Sequence, residues 1–234
     1  MRLDNPAKYS PDLVIFDCDG VLVDSERLAN QVFAQILLEE CGLQFSLQEM
    51  FDHFVGRSMD QCWQLVTEML GKDAPLTLKQ RYHHETIAAL AESVQPVKGI
   101  ESVLKKLDRL EIPYCVASSG SYEKMQTTLG KTGLINYFHE RLFSTSEVKN
   151  GKPHPDIFIF AAEKMRLQPE HCLVVEDSPA GIMAAKAAGM TVFGYAELMN
   201  PQKLLQAGAD SVFDDMSQLS RYLNDLPCDQ KVSA

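Results

Sequence analysis

The sequence predicts an α/β fold, a parallel sheet with helices on both faces and a helical segment inserted near its start. Three observations carry this reading. Short apolar runs, several of them β-branched, alternate with helical stretches through the second half of the chain, the pattern of βαβ units with right-handed crossovers. Residues 27–94 lack strand alternation and are rich in helix formers, as in Ala34-Gln35-Ile36-Leu37-Leu38-Glu39-Glu40. Polar residues stand at the ends of apolar runs, at Asp17, Ser118 and Asp177, where open α/β sheets bind their ligands.

The first run, Leu13 to Phe16, reads as a buried strand and leads into Asp17-Cys18-Asp19-Gly20. Carboxylates at the end of a buried strand are costly unless a cation or hydrogen-bond donors compensate. Residues two apart on a strand share a face, so Asp17 and Asp19 are expected to point into one site, with Cys18 turned away. Gly20 allows a sharp turn or a close approach. Two carboxylates held together suggest a cation, an acid/base pair, or both.

Further strands are expected at Ile112 to Ala117, Arg141 to Phe143, Cys172 to Val175, Thr191 to Tyr195 and Ser211 to Phe213. Helices are expected at Ile100 to Leu110, Asp156 to Met165 and Ser178 to Ala188. In the last of these Ser178 fits the N-cap, Pro179 the first helical position and Gly189 the stop. If the strand before it extends through Glu176 and Asp177, alternation sends these two carboxylates to opposite faces. The inserted segment contains non-helical interruptions at Phe54 to Ser58 and Gly71 to Pro75. The expected organisation is a discontinuous core, residues 1–26 and 95–234, around a helical domain of residues 27–94. Leu226 to Ala234 is read as a loose tail.

Bulk properties narrow the function. The chain has 234 residues, enough for one large domain or a core with an insert. Its formal net charge of -10 argues against a nucleic-acid surface. An anionic substrate must therefore be attracted by locally placed cations. No apolar run reaches membrane-spanning length, and Met1 to Pro11 has no signal-peptide core. The six scattered cysteines lack a Cys-x-x-Cys pair and read as reduced thiols of a cytoplasmic protein.

Four motifs, taken in order, resemble the haloacid dehalogenase superfamily: Asp17-Cys-Asp-Gly-Val-Leu-Val-Asp-Ser25, Ala117-Ser-Ser-Gly120, Gly151-Lys-Pro-His-Pro-Asp156 and Val175-Glu-Asp-Ser-Pro-Ala-Gly181. More narrowly, the chain resembles the branch containing beta-phosphoglucomutase and small sugar-phosphate phosphatases, and the resemblance extends from about Leu13 to Asp215. The resemblance implies a Rossmann-like core with the helical insert as its cap. Lys124-Met125-Gln126, Gly130-Lys131 and Tyr137-Phe138 are also similar to 6-phosphogluconate phosphatases of that branch.

Phosphate monoesters are poor electrophiles surrounded by negative charge, and their cleavage needs a nucleophile, a counter-charge and a proton donor. The resemblance implies that Asp17 is the nucleophile and forms an aspartyl-phosphate, and that Asp19 is acid and then base. It implies Mg²⁺ held by Asp17, the Asp19 carbonyl and Asp177, with Glu176 ligating or paired with Lys152. Ser118, Ser119 and the following N–H groups would bind phosphate, and Lys152 would neutralise it. His154 is read as a loop residue. Gly56 and Arg57 resemble the cap's specificity loop. His83-His84 is discounted as a metal pair, since adjacent helical residues diverge.

Mutase-type members carry a His and an Arg at the positions of Ala29 and Met59, which favours water as phosphoryl acceptor here. The expected activity is thus a Mg²⁺-dependent phosphatase of small phosphorylated metabolites, sugar or sugar-acid phosphates such as 6-phosphogluconate. A sugar-phosphate mutase or a non-catalytic sugar-phosphate binder are the alternatives. The expected protein is a monomer or weak homodimer with no nucleic-acid or membrane partner.

Overall fold

The computed structural model describes residues 10–55 and 59–224. Gly56, Arg57, Ser58 and the Leu226 to Ala234 tail, all singled out above, lie outside the described residues. Among the described residues six parallel strands form one sheet: β1 Leu13–Phe16, β2 Tyr114–Ser118, β3 Leu142–Ser144, β4 Cys172–Glu176, β5 Thr191–Tyr195 and β6 Ser211–Phe213. Their order is β3-β2-β1-β4-β5-β6. This Rossmann-like order reverses beside β1, where the crevice for ligands opens at the carboxyl ends. All six lie where apolar runs predict them, with shifts of one or two residues at β2, β3 and β4.

The helices are α1 Ser25–Cys41, α2 Leu47–Phe54, α3 Met59–Leu70, α4 Leu76–Ser93, α5 Ile100–Arg109, α6 Tyr122–Lys131, α7 Ile135–Phe138, α8 Asp156–Lys164, α9 Pro179–Ala187, α10 Pro201–Gln206 and α11 Met216–Asn224. Alternation along the strands divides the core between the two sheet faces. Val14 and Phe16 of β1 pack with Leu104 of α5, Leu129 of α6 and Leu219 of α11. Leu13 and Ile15 pack on the other side with Phe158 of α8 and Ile182 of α9. Both faces are thus covered, which is why the strands read as continuous apolar runs.

Helices α1 to α4 enclose a cluster of their own, containing Phe33, Leu37, Met50, Trp63, Val66 and Leu78. Phe33 is its hub, with ring centroids 5.0 Å from Phe54, 5.2 Å from Trp63 and 4.9 Å from Tyr82. The segment has one break that the sequence reading did not include, at 42–46. Gly42 leaves α1 with φ 68, and Ser46 opens α2 through a capping box with Glu49. The chain enters and leaves this segment side by side: Val97 N donates to Leu22 O and Asp24 N to Gln95 O, both at 2.9 Å.

Candidate active site

Asp17 stands just past β1, and its backbone N–H donates to Val175 O of β4 at 3.0 Å. The chain then turns. Leu22 N and Val23 N both donate to Cys18 O, and Gly20 N donates to Val23 O. This turn directs Asp17 and Asp19 into one cavity and leaves Cys18 buried in the hydrophobic core, as alternation predicts.

The Asp17 carboxylate is buried and paired with Lys152. Lys152 Nζ lies 2.5 Å from Asp17 Oδ1, 2.7 Å from Glu176 Oε1 and 3.1 Å from Ala117 O. All three ammonium protons thus have acceptors. Burial alone would lower the Lys152 pKa, but Asp17 and Glu176 outweigh it and raise it above the ordinary lysine value. The loop carrying Lys152 is fastened by Asp156, whose Oδ2 accepts from both Asn150 N and Asn150 Nδ2 at 3.1 Å. His154 is exposed and outside the cavity lining.

Glu176 and Asp177 were expected on opposite faces if the strand continued. The strand ends at Glu176, and both carboxylates reach the Asp17 cluster, with one ligand atom from each of the three within 4.8 Å of the others. Glu176 is fully engaged. Its Oε2 accepts from Ser178 N at 2.7 Å and Ser178 Oγ at 3.0 Å, and its Oε1 faces Lys152. Two glycines leave room for these carboxylates. A Cβ on Gly181 would lie 1.8 Å from Glu176 Oε1, and one on Gly20, at φ +75, would lie 2.0 Å from Asp177 Oδ2.

The cluster fits a divalent cation on its own chemistry. When ionised, three carboxylates against one ammonium leave two negative charges uncompensated. Burial, with Glu176 and Asp19 adding to it against the pull of Lys152, pushes the Asp17 carboxyl up to about 7. Burial, then Glu176 and Asp17, push Asp177 well above the carboxylate range. An all-oxygen donor set of this charge suits a hard cation such as Mg²⁺.

Asp19 has different surroundings. Ser25 Oγ donates to its Oδ1 at 2.6 Å, and Lys124 Nζ lies 2.8 Å from its Oδ2. Burial would raise its pKa, but Lys124 and the Ser25 hydroxyl outweigh that and hold it below the ordinary value. Lys124 is not among the site residues marked by the sequence motifs. One signal was available. Ser121 caps α6 by accepting from Lys124 N, which puts Lys124 in the first turn, where a cation opposes the helix dipole unless an anion faces it.

The phosphate-binding candidates lie next to this pair. Ser118 ends β2, is buried, lines the cavity and accepts from Gly120 N at 2.9 Å. Ser119 is exposed and also lines the cavity. The cavity measures about 620 Å³ and extends from the carboxylates to helices α1 and α4. Its lining also includes Glu26, Ala29, Asn30, Met59, Tyr82 and Thr86. His83 lines it too, but belongs to no candidate metal cluster among the described residues.

This constellation lies at a sheet switch point and shares its cavity with helices α1 and α4. A family model of the haloacid dehalogenase-like hydrolases matches residues 11–189. The chain belongs to that family. It is 32% identical over 184 residues to a 6-phosphogluconate phosphatase of Escherichia coli (strain K12), covering 79% of this chain and 82% of the other. It is 31% identical over 201 residues to a phosphorylated carbohydrates phosphatase of Thermotoga maritima, covering 85% and 92%. A solved haloacid dehalogenase family hydrolase from Deinococcus radiodurans, with bound phosphate and sodium, superposes with a TM-score of 0.80 at 30% identity, covering 92% of this chain and 94% of that one. The chain is therefore an enzyme of a hydrolase family whose similar members are named phosphatases, consistent with phosphoric monoester hydrolysis. No described helix is long and apolar enough to cross a membrane.

Proposed function

We propose that the protein is a Mg²⁺-dependent phosphatase of small phosphorylated metabolites, sugar phosphates foremost, acting through an aspartyl-phosphate on Asp17. The observation that carries this reading is the buried Asp17 carboxylate, held by Lys152 at 2.5 Å beside a second, hydrogen-bonded carboxylate, Asp19. The names of the similar enzymes from Escherichia coli and Thermotoga maritima support the sugar-phosphate class.

In the first step an Asp17 oxygen attacks phosphorus, the ester P–O bond breaks, and the protonated form of Asp19, regenerated at the end of each cycle, gives its proton to the leaving alkoxide. In the second, Asp19 takes a proton from water, whose oxygen attacks the phosphorus of the acyl phosphate and releases phosphate and the Asp17 carboxylate. Asp19 as it stands, kept ionised by Lys124, is in the state that the second step requires. Lys152 and Ser118 hold the phosphoryl oxygens, with Ser119 and the following N–H groups at its edge. A bound Mg²⁺ would be held by Asp17, Asp177 and the Asp19 carbonyl, with Glu176 supporting, and would offset the negative charge on the phosphoryl group.

Residues 27–94 act in this reading as a cap, hinged where Val23 and Pro96 pair. Water is the acceptor because Ala29 and Met59, which line the cavity, offer no imidazole or guanidinium to hold a second phosphorylated sugar group. The test is phosphate release from an aryl phosphate and a panel of phosphorylated metabolites, with and without Mg²⁺. Mg²⁺-dependent release supports the reading, and no release from any of them overturns it.

A further inference from the structure

The candidate phosphate loop is held from its outer side by hydroxyls that the proposed mechanism does not use. The ladder between β2 and β3 ends at the pair Ser118 and Ser144. Beyond it Ser119 and Gly120 belong to no strand or helix until Ser121 caps α6. Two side chains take over from the ladder there. Ser144, buried at the end of β3, donates its hydroxyl proton to Gly120 O at 2.7 Å. Thr145, in the single turn Thr145–Glu147 that follows, donates to Ser119 O at 3.3 Å. The Tyr122 hydroxyl, on the first residue of α6, reaches Leu142 O of β3 at 3.2 Å and pairs with Glu147. On its other side this turn borders the Lys152 loop: a Cβ on Gly151 would stand 3.8 Å from the Thr145 methyl.

These contacts decide where the N–H groups of the loop point. The carbonyl and the N–H of one trans peptide unit point in opposite directions, and the units Ser119–Gly120 and Gly120–Ser121 are trans. With Ser119 O turned to Thr145, the Gly120 N–H must face the other way, and it does, donating to the cavity-lining Ser118 Oγ at 2.9 Å. With Gly120 O turned to Ser144, the Ser121 N–H likewise faces away from β3, on a residue that lines the cavity. Among the described residues no acceptor is paired with that N–H. The Ser144 hydroxyl is itself fixed in direction. Ser146 N and Ser146 Oγ donate to its oxygen at 3.2 Å and 3.0 Å, so its own proton is left for Gly120 O.

We propose that Ser144 and Thr145 are positioning residues of the phosphate site, a role that deepens the phosphatase reading and rests on it. Ser144 holds the Gly120 carbonyl outward and so turns the Ser121 N–H to the phosphoryl oxygens. Thr145 holds the Ser119 carbonyl outward and so keeps the Gly120 N–H on Ser118 Oγ, whose own proton is then left for phosphate. Donors set in advance bind the anion without reorienting when it arrives. Without the Ser144 hydroxyl, Gly120 O loses its buried donor and the unit carrying the Ser121 N–H is free to rotate. The effect falls on the group common to every phosphate ester, not on the alcohol, so it is uniform across substrates.

The experiment compares Ser144→Ala and Thr145→Val with wild type, in Mg²⁺ and well below each melting temperature. The probes are an aryl phosphate, the sugar phosphate that wild type hydrolyses fastest, and inorganic phosphate as product inhibitor. In Ser144→Ala the KM of both esters and the Ki of inorganic phosphate are expected to rise by the same factor, at least about fivefold. Thr145→Val, which loses a longer bond, is expected to raise them at least about twofold. A purely structural role would lower Tm and the yield of active enzyme but leave KM and Ki unchanged, because the molecules that stay folded would bind phosphate as wild type does. Wild-type KM and Ki in a folded Ser144→Ala overturn the inference, as does a rise confined to one ester. If Ser144→Ala does not fold, Thr145→Val decides, and wild-type constants there overturn it. A wild-type protein that releases phosphate from no ester refutes the phosphatase reading and the inference with it. Wild-type hydrolysis with unchanged constants in the variants refutes only the positioning role.

Discussion

Lys124 Nζ lies 2.8 Å from Asp19 Oδ2, joining the first turn of α6 to the turn after β1 across 105 positions of sequence. Ser25 Oγ occupies the other oxygen at 2.6 Å. Asp19 is thereby kept ionised although it is buried, the reverse of Asp17 a few ångströms along the same turn. Two carboxylates with opposite shifts suit a nucleophile and an acid/base group working in sequence.

Removing the Lys124 ammonium leaves burial as the dominant influence on Asp19, so its pKa rises. The alkaline limb of the kcat/KM pH profile of Lys124→Met, set by the Asp19 proton that the first step uses, is expected to move to higher pH, with kcat falling roughly tenfold to a hundredfold because the second step needs Asp19 ionised. A profile of the wild-type shape, merely scaled down, would show that Lys124 does not act through Asp19.

Gly181 leaves the space that the Glu176 carboxylate fills. The Cβ of Gly181→Ala would stand 1.8 Å from Oε1 and 1.9 Å from Cδ, so Glu176 must move and Lys152 loses an acceptor. The expected result is a stability loss of about 2 kcal/mol and at least about tenfold lower turnover. Thermal melting and phosphate release measure the two effects. Wild-type values in both would mean that Glu176 does not hold Lys152 in place.

The strands, the α9 cap at Ser178 and the paired aspartates were legible because each depends on neighbours in sequence. Leu13 to Phe16 is apolar throughout because both sheet faces are covered, and the carboxylates follow at once. The Lys124–Asp19 pair was not legible, since Lys124 also fits an ordinary helix surface and its partner is remote. The break at 42–46 was hidden by Leu43 and Phe45, which continue the apolar pattern of α1 while packing against the helical cluster. The convergence of Glu176 and Asp177 depends on where β4 ends, and that end is set by Ser178 capping α9 and donating to Glu176.

Cation binding is expected to depend on pH in a definite direction. Without a cation Asp17 titrates at about 7, against 3.8 for an ordinary carboxyl. Between those values the folded chain holds a proton that the unfolded chain has lost, so the Asp17 contribution to stability falls as pH rises through the window. Mg²⁺ competes with that proton. The rise in Tm on adding Mg²⁺ should be small near about pH 5.5 and several degrees near about pH 8. It should be largely lost in Asp177→Asn. An equal rise at both pH values, or one that survives Asp177→Asn, would place the cation elsewhere.

Whether Asp17 carries the phosphoryl group is decided by acid-quenching the enzyme during turnover of a sugar phosphate and mapping the phosphorylated peptide by mass spectrometry. A hydroxylamine-labile phosphate is expected on the peptide containing Asp17 and absent from Asp17→Asn, whose turnover falls by at least about a thousandfold. Turnover by Asp17→Asn near the wild-type rate, or a phosphorylated residue other than Asp17, would contradict it.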